Sequence, residues 1–474
     1  MKMQNKYSDL SKNMFLFSLS SFLPKILGFL IIPMYTNCLT QAEYGIYDLI
    51  VATVQLLIPI FTVDIQDAIL RFSLDKKTNS KSVFSVATKI IFVGAVLVSL
   101  GAGGMFFADI PSVRPLYLVF VVITFITTAM NNSFSMFCRG IDKVKVVVVS
   151  AIVESIVILF CNILFLLVFN FGLTGFLLAN SLGAFCASIC LFFGGKLYKF
   201  ISFKIDRTVA KEMCSYSFPL VFSVLAWWVN NASDRYIVTW MSGVAASGLY
   251  AVAYKIPTIL TAFQDVFHKS WSITVVKEFD EDKDTFISQM YNIYTVVFII
   301  LCSLLMIFNI PLAKIVYSKS FFSAWQFVPP LLVSVLFNSM ALFLGTIFTT
   351  VKDTKTIAGS TVLGAIVNIV CNFVFIHFFG AYGAAIATLV SYLCVFIIRQ
   401  IMVYKYIKLD VQWKKHLLSY SLLLVQMIVS YSGLSFLPIQ LVLLLVIILI
   451  WHKELANQYV VIKKCLLSKI KKEV

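Results

Sequence analysis

Side chains for catalysis are scarce in this sequence, and the few present are scattered. Its 474 residues include four histidines, His268, His377, His416 and His452, with no HExxH or other metal-ligand spacing among them. Gly194, Gly195 and Lys196 lack the preceding glycine spacing of a phosphate-cradling P-loop, so ATP-driven pumping finds no support. Charged residues make up 13% of the chain, and no polar segment is long enough for a soluble domain of ordinary size. A polytopic polymerase or glycosyltransferase usually needs a sizeable extramembrane loop, whereas the longest outer connector here covers only 311–326. The ten cysteines follow no disulfide or metal pattern. Cys161, Cys186, Cys190, Cys302, Cys371 and Cys394 fall inside apolar runs, where cysteine acts as a small apolar side chain. No cofactor is expected, and a passive or ion-coupled carrier is a better reading than an enzyme.

Apolar runs, by contrast, fill the chain. A helix needs about 20 apolar residues to cross the ~30 Å hydrocarbon core. About fourteen runs of that order occur, at 14–36, 44–65, 83–108, 116–138, 146–170, 173–195, 213–241, 246–267, 286–310, 327–350, 357–378, 382–403, 416–431 and 436–451. The fold class that follows is an all-α polytopic membrane protein. Of the 38 lysines and arginines, nearly all lie in every second connector. The other connectors hold Arg114, Lys314 and Lys319, and Lys25, Lys89, Arg235 and Lys255 sit within runs. That bias predicts both termini in the cytoplasm. The net charge of +16 then lies on the cytoplasmic rim, where anionic membrane lipid attracts it, and needs no nucleic-acid partner. A polar start over 1–13 and a long first run without a small-residue cleavage pattern predict a retained helix.

Three short echoes recur in one order. Ser21, Phe22, Leu23 and Pro24 match Ser217, Phe218 and Pro219, each leading into a proline-bent helix. Glu43, Tyr44, Gly45, Ile46 and Tyr47 match Ala246, Ser247, Gly248, Leu249 and Tyr250. Phe171, Gly172, Leu173, Thr174 and Gly175 match Phe379, Gly380, Ala381, Tyr382 and Gly383. Random similarity among apolar helices is the competing explanation. The order predicts two six-helix lobes, 1–206 and 207–410, followed by two helices and a basic tail in 411–474. Transporters are commonly built from such repeats.

With these residues on view, the chain resembles the Wzx-type polysaccharide-unit flippases of the multidrug/oligosaccharidyl-lipid/polysaccharide exporter superfamily. The resemblance covers nearly the whole chain. It is carried by Pro24, Lys25, Ile26, Leu27, Gly28 and Phe29; by the Glu43 to Tyr47 turn; by Ala68, Ile69, Leu70, Arg71 and Phe72; and by Gly380, Ala381, Tyr382, Gly383, Ala384 and Ala385. It implies an inverted-V pair of bundles in a bacterial inner membrane. The cargo implied is an undecaprenyl-diphosphate-linked oligosaccharide, moved to the outer leaflet for O-antigen, capsule or exopolysaccharide synthesis. A polysaccharide polymerase and a chain-length regulator are the implied protein partners. A cation-coupled multidrug exporter of the same superfamily is the rival, and several lumenal cations would disfavour a cationic drug.

A diphosphate cannot cross hydrocarbon without a hydrated cationic cavity, so intramembrane charge marks the expected site. Lys25 is too deep to snorkel easily and either lines the cavity or pairs with a carboxylate. The resemblance places a first-span cation there as well. Arg235 and Lys255 are expected to share that patch, the arginine through its planar fork and the lysine as a mobile point charge. Asp234 either neutralises Arg235 or pairs with another helix. Lys89 either joins the site or snorkels to the cytoplasmic interface. Asp64, Asp67 and Arg71, at i, i+3 and i+7, are expected on one helix face, as a gate facing Asp265 and His268 or as a local surface pair. Glu154 is a coupling carboxylate or a buried neutral acid, and Asp234 is a second coupling candidate. Trp227 and Asn231 are candidate sugar contacts. Asn230, Asn368 and Asn372 are open to the same role or to bridging helices.

Overall fold

The computed structural model describes residues 27–75, 78–108, 114–202, 206–277, 283–318, 320–433, 437–454 and 456. Lys25, the first proline motif around Pro24 and most of the basic tail lie outside the described residues. Every regular element among the described residues is helical. The chain forms two compact units, Met1–Ala251 with Val316–Phe321, and Val252–Ile315 with Phe322–Val474.

The first unit contains α1 (Ile32–Cys38), α2 (Gln41–Thr62), α3 (Ile65–Leu74), α4 (Ser80–Phe107), α5 (Pro115–Gly140), α6 (Val144–Asn162), α7 (Gly172–Gly194) and α8 (Arg207–Ser242), and α9 (Val244–Ala253) leads out of it. The second motif begins α2 because Thr40 and Glu43 form a reciprocal cap. The Thr40 N–H donates to Glu43 Oε2 at 2.8 Å, and the Glu43 N–H donates to Thr40 Oγ1 at 3.2 Å. Its glycine has a different task. A Cβ on Gly45 would overlap the Val244 carbonyl, and one on Gly248 would overlap the Gln41 carbonyl, so the two copies of this motif cross backbone to backbone. Val316–Phe321 joins this unit through Ser318, whose hydroxyl donates to the Thr36 carbonyl at 2.5 Å, and Phe321, whose ring meets the Tyr44 ring edge-on at 6.2 Å.

The second unit contains α10 (Pro257–Lys277), α11 (Lys283–Ile307), α12 (Asn309–Val316), α13 (Val328–Thr350), α14 (Thr354–Phe379), α15 (Ala381–Val403), α16 (Trp413–Ser430) and α17 (Leu437–Ile450). Helix α13 is its axis, with 89% of its apolar window buried, against 17% for α4 and α6 in the first unit. The difference separates a helix solvated by other helices from helices left to lipid. Trp271 fixes α10 on this axis, stacking on Phe343 at 4.3 Å and donating its indole N–H to the Phe343 carbonyl at 3.2 Å. Asp353 caps α14, accepting from the Thr356 hydroxyl at 2.6 Å and the Thr356 N–H at 3.2 Å; these bonds hold its carboxyl below the ordinary aspartate value. The third motif places a glycine at positive φ in both copies. Gly172, the first residue of α7, and Gly380, the cap of α15, sit at φ 53° and 59°, values glycine adopts without strain. Three residues on, Gly175 and Gly383 let those helices press against the preceding ones at Phe165 and Phe375.

Among the described residues nine helices are long and apolar enough to cross a membrane. The chain is a polytopic membrane protein. The other expected runs differ for physical reasons. The first is described only from residue 27. The seventh is α8, whose 36 residues rise about 54 Å at ~1.5 Å each, longer than the bilayer core and studded with Lys211, Glu212, Asp234 and Arg235. The eighth is a correction, since the run 246–267 breaks at 254–256, ahead of Pro257. Proline has no N–H to continue the ladder and disfavours helix in the residue before it. The last two are α16 and α17, of 18 and 14 residues. The connector 311–326 is not an open loop either, because α12 and a 3-10 turn over Phe322–Phe327 occupy most of it.

Candidate functional site

Charge inside the first unit gathers where α2, α8 and the start of α9 meet. Helix α8 presents Arg235 to Asp48 of α2, with Nε 3.1 Å from Oδ2 and side-chain exposures of 18% and 13%. The neighbouring Asp234 is buried. Its Oδ2 accepts from the Tyr250 hydroxyl at 2.6 Å, and its Oδ1 accepts from the Arg235 backbone N–H at 2.9 Å. One helical turn away the Tyr236 and Thr53 hydroxyls lie 2.6 Å apart, and the Trp228 indole donates to the Ala52 carbonyl at 2.9 Å. Ser247 Oγ donates to the Arg235 carbonyl at 3.3 Å. The close backbone crossing at Gly45 and Gly248 is what lets α9 reach this seam. Formally the seam holds one guanidinium and two carboxylates.

The sequence singled out Arg235 and Asp234 but not Asp48, although an acid inside an apolar run is itself the signal. Arg235 thus has an ion-pair partner on another helix. Lys255, expected beside Arg235 on a continuous eighth span, instead occupies the 254–256 turn and is half-buried in the second unit. Lys89 is half-buried on α4, in the wall of a cavity with Ile60, Phe61, Val63, Ile90, Val93 and Leu97.

Asp64 does not share a face with Asp67 and Arg71. The chain leaves the α2 helix at Val63 and Asp64, φ 53° and 48°, and re-enters helix at Ile65. Two consecutive non-glycine residues in the left-handed region are strained, the branched Val63 most of all. Asp64 is turned inward, 2% exposed; it accepts from Gln66 Nε2 at 3.1 Å, and its carbonyl accepts from Ser217 Oγ at 3.1 Å. Asp67 and Arg71 are exposed, and among the described residues no ion pair joins them. In the second unit His268 Nε2 lies 3.3 Å from Thr346 Oγ1, and Asp265 is half-buried one turn before it.

Glu154 on α6 accepts from Asn131 Nδ2 of α5 at 3.0 Å, a partner the sequence did not suggest. Trp227 is 56% exposed, and Asn231 Nδ2 donates back to the Trp227 carbonyl at 2.8 Å. Asn230 donates within its helix to the Ala226 carbonyl at 3.2 Å. Asn368 and Asn372 are fully buried and bond to each other at 2.9 Å.

One buried cation escaped notice altogether. Arg399 lies near the C-terminal end of the run 382–403, where the sequence groups it with the connector charge. It is 6% exposed and donates to Ser360 Oγ at 3.0 Å, the Ala341 carbonyl at 2.8 Å and Thr361 Oγ1 at 3.0 Å. Gly345 makes room for it, since a Cβ there would stand 2.8 Å from Nη1. These three acceptors are neutral, so Arg399 ties α13, α14 and α15 together as a hydrogen-bond hub.

The family model described as "Polysaccharide biosynthesis protein" matches residues 10–268, more than half of the chain. No curated protein sequence matches it. Among solved structures, the lipid II flippase MurJ in an inward closed conformation is similar with a TM-score of 0.69 and 14% identity, over 94% of this chain and 100% of that one. An inward-facing multidrug resistance MATE family transporter of the MOP superfamily gives 0.62 and 13%, over 83% and 95%. A MOP superfamily transporter from Pyrococcus furiosus gives 0.59 and 14%, over 83% and 95%. At such identities these likenesses establish a common all-α transporter fold.

Proposed function

The chain belongs to the polysaccharide biosynthesis protein family, and from that premise we propose that it is a Wzx-type flippase of a bacterial inner membrane, with both termini cytoplasmic. It takes an undecaprenyl-diphosphate-linked oligosaccharide from the cytoplasmic to the outer leaflet by alternating access, ahead of O-antigen, capsule or exopolysaccharide assembly. The observation that carries this reading is the family match over 10–268 combined with a fold likeness to a lipid II flippase along 94% of the chain. Positive-inside bias supports the orientation.

In this mechanism the chain breaks and forms no covalent bond. Lys25, Arg235, Lys255 and Lys89 draw the diphosphate along its path, the glycan occupies water, and Trp227 and Asn231 face sugar. Arg235 has a resident competitor in Asp48, so binding is an exchange in which phosphate replaces a carboxylate on the guanidinium fork. Glu154 and Asp234 are the carboxylates available for coupling, and Asp64, Asp67, Arg71, Asp265 and His268 the groups available for gating. A polymerase and a chain-length regulator would receive the product.

Deleting the protein is expected to leave lipid-linked oligosaccharide in the cytoplasmic leaflet, with relief on re-expression; unchanged lipid-linked pools would refute the reading. A second reading, export of cationic drugs, has a specific observation in its favour. Among the described residues the seam at Arg235 holds two carboxylates and one guanidinium, an excess of acid that favours a cationic cargo. Increased drug susceptibility in the deletion strain, without accumulation of the lipid-linked oligosaccharide, would select it.

A further inference from the structure

The first unit contains two cavities that share walls and run along one helix pair. The larger, about 800 Å³, lies among α2, α4, α5 and α8; the smaller, about 490 Å³, opens between α2 and α4. Phe61 and Leu97 line both. The helices touch where Gly94 faces the Phe61 carbonyl, 2.6 Å from where a Cβ would lie. From Lys89 to Met105, α4 rises about 24 Å at ~1.5 Å per residue, most of the ~30 Å hydrocarbon core.

The lining is apolar except at defined places. Among the described residues lining the two walls Lys89 is the charged one, at the Ser80 end of α4. The Thr53 and Tyr236 hydroxyls, with Thr239, supply the polar atoms near the far end. Gly101 lines the larger cavity, and a Cβ there would have nothing within 4 Å. Two adjoining apolar cavities along one helix pair, with a cation at one end, have the chemistry of a lipid phosphate site, with head at the lysine and hydrocarbon along the groove. We propose that this groove holds the isoprenoid tail of the lipid carrier while Lys89 takes its phosphate. The assignment of the carrier rests on the flippase reading. Under the proposed orientation Lys89 lies toward the cytoplasmic leaflet, where that carrier is loaded.

The test uses the full chain in lipid nanodiscs with a photo-crosslinking residue replacing Gly101, and undecaprenyl phosphate as probe. Capture is expected, competed by unlabelled undecaprenyl phosphate and not by dioleoyl phosphatidylglycerol. Lys89→Glu should weaken it on the order of tenfold or more, the scale of one lost charge-assisted hydrogen bond, and Lys89→Arg should preserve it. Capture indifferent to Lys89→Glu, equal competition by phosphatidylglycerol, or no capture would each overturn the inference. A separate readout isolates the premise. Gly101→Phe projects a ring into the groove from a position where a Cβ has open space, so it should fold as a monodisperse protein and fail to relieve accumulation in the deletion strain. Full relief would remove the groove and leave the flippase reading intact. Absence of accumulation in the deletion strain itself would remove that reading, and with it the assignment of the carrier.

Discussion

Arg235→Ala and Asp48→Ala are each expected to abolish leaflet transfer and to lower thermal stability, whereas the double variant Asp48→Asn with Arg235→Gln recovers stability alone. The physical reason is the asymmetry of buried ion pairs. Removing one member weakens the compensation of the other charge, a loss that reaches roughly 3–5 kcal/mol in a fully buried isolated pair, while replacing both with neutral groups is often harmless. Exposures of 18% and 13% put this pair below that range, because water screens part of the penalty. Melting curves of purified protein measure the stability arm, and complementation of the deletion strain measures transport. If the double variant transports normally, Arg235 is a structural tie to α2 and the diphosphate needs another cation. If it is stable and inactive, the guanidinium itself is required. Lys25→Ala should be inactive as well, with Lys25→Arg partly active.

Gly248→Leu should disrupt the first unit more than a substitution at any other glycine with open space around it. The crossing at Gly45 and Gly248 leaves no volume for a side chain, since the atoms opposite are the Gln41 and Val244 carbonyls of packed helices, not flexible side-chain ends. Overpacking a well-filled contact costs about 1–3 kcal/mol when neighbours can yield, and here they cannot yield without separating α2 from α9. That separation also moves Tyr250 away from Asp234. The yield of monodisperse protein and its melting temperature are the measurements. Gly359→Leu is the control, because a Cβ at Gly359 meets nothing within 4 Å. Equal behaviour of the two variants would show that the crossing bears little of the fold.

The sequence reveals the membrane class, most spans and the repeated motifs, because these depend on local hydropathy, charge spacing and backbone chemistry. The glycines of the third motif are legible for the same reason, since Gly172 and Gly380 sit at positive φ where a local turn requires it. Pairings between helices are not local. Arg235 is visible as an intramembrane cation, but which carboxylate reaches it depends on how α2 and α8 cross, so the adjacent Asp234 drew attention that belonged to Asp48. The helical spacing of Asp64, Asp67 and Arg71 presumes an unbroken helix, and the left-handed pair at Val63 and Asp64 breaks it with no glycine to announce the turn. Arg399 escaped because charge near a helix end looks like rim charge. Only the tertiary placement of Ser360, Thr361 and the Ala341 carbonyl turns it inward.

Leaflet transfer by the purified protein tests the central claim most directly. Vesicles carrying undecaprenyl-diphosphate-linked oligosaccharide in the inner leaflet, with and without the protein, would be exposed to an external glycosidase that cannot cross the membrane. The account predicts that the protein makes the inner-leaflet glycan cleavable from outside and that Arg235→Ala in the same vesicles does not. Glycan that stays protected in sealed vesicles containing folded wild-type protein, under proton and sodium gradients of either direction, would contradict it.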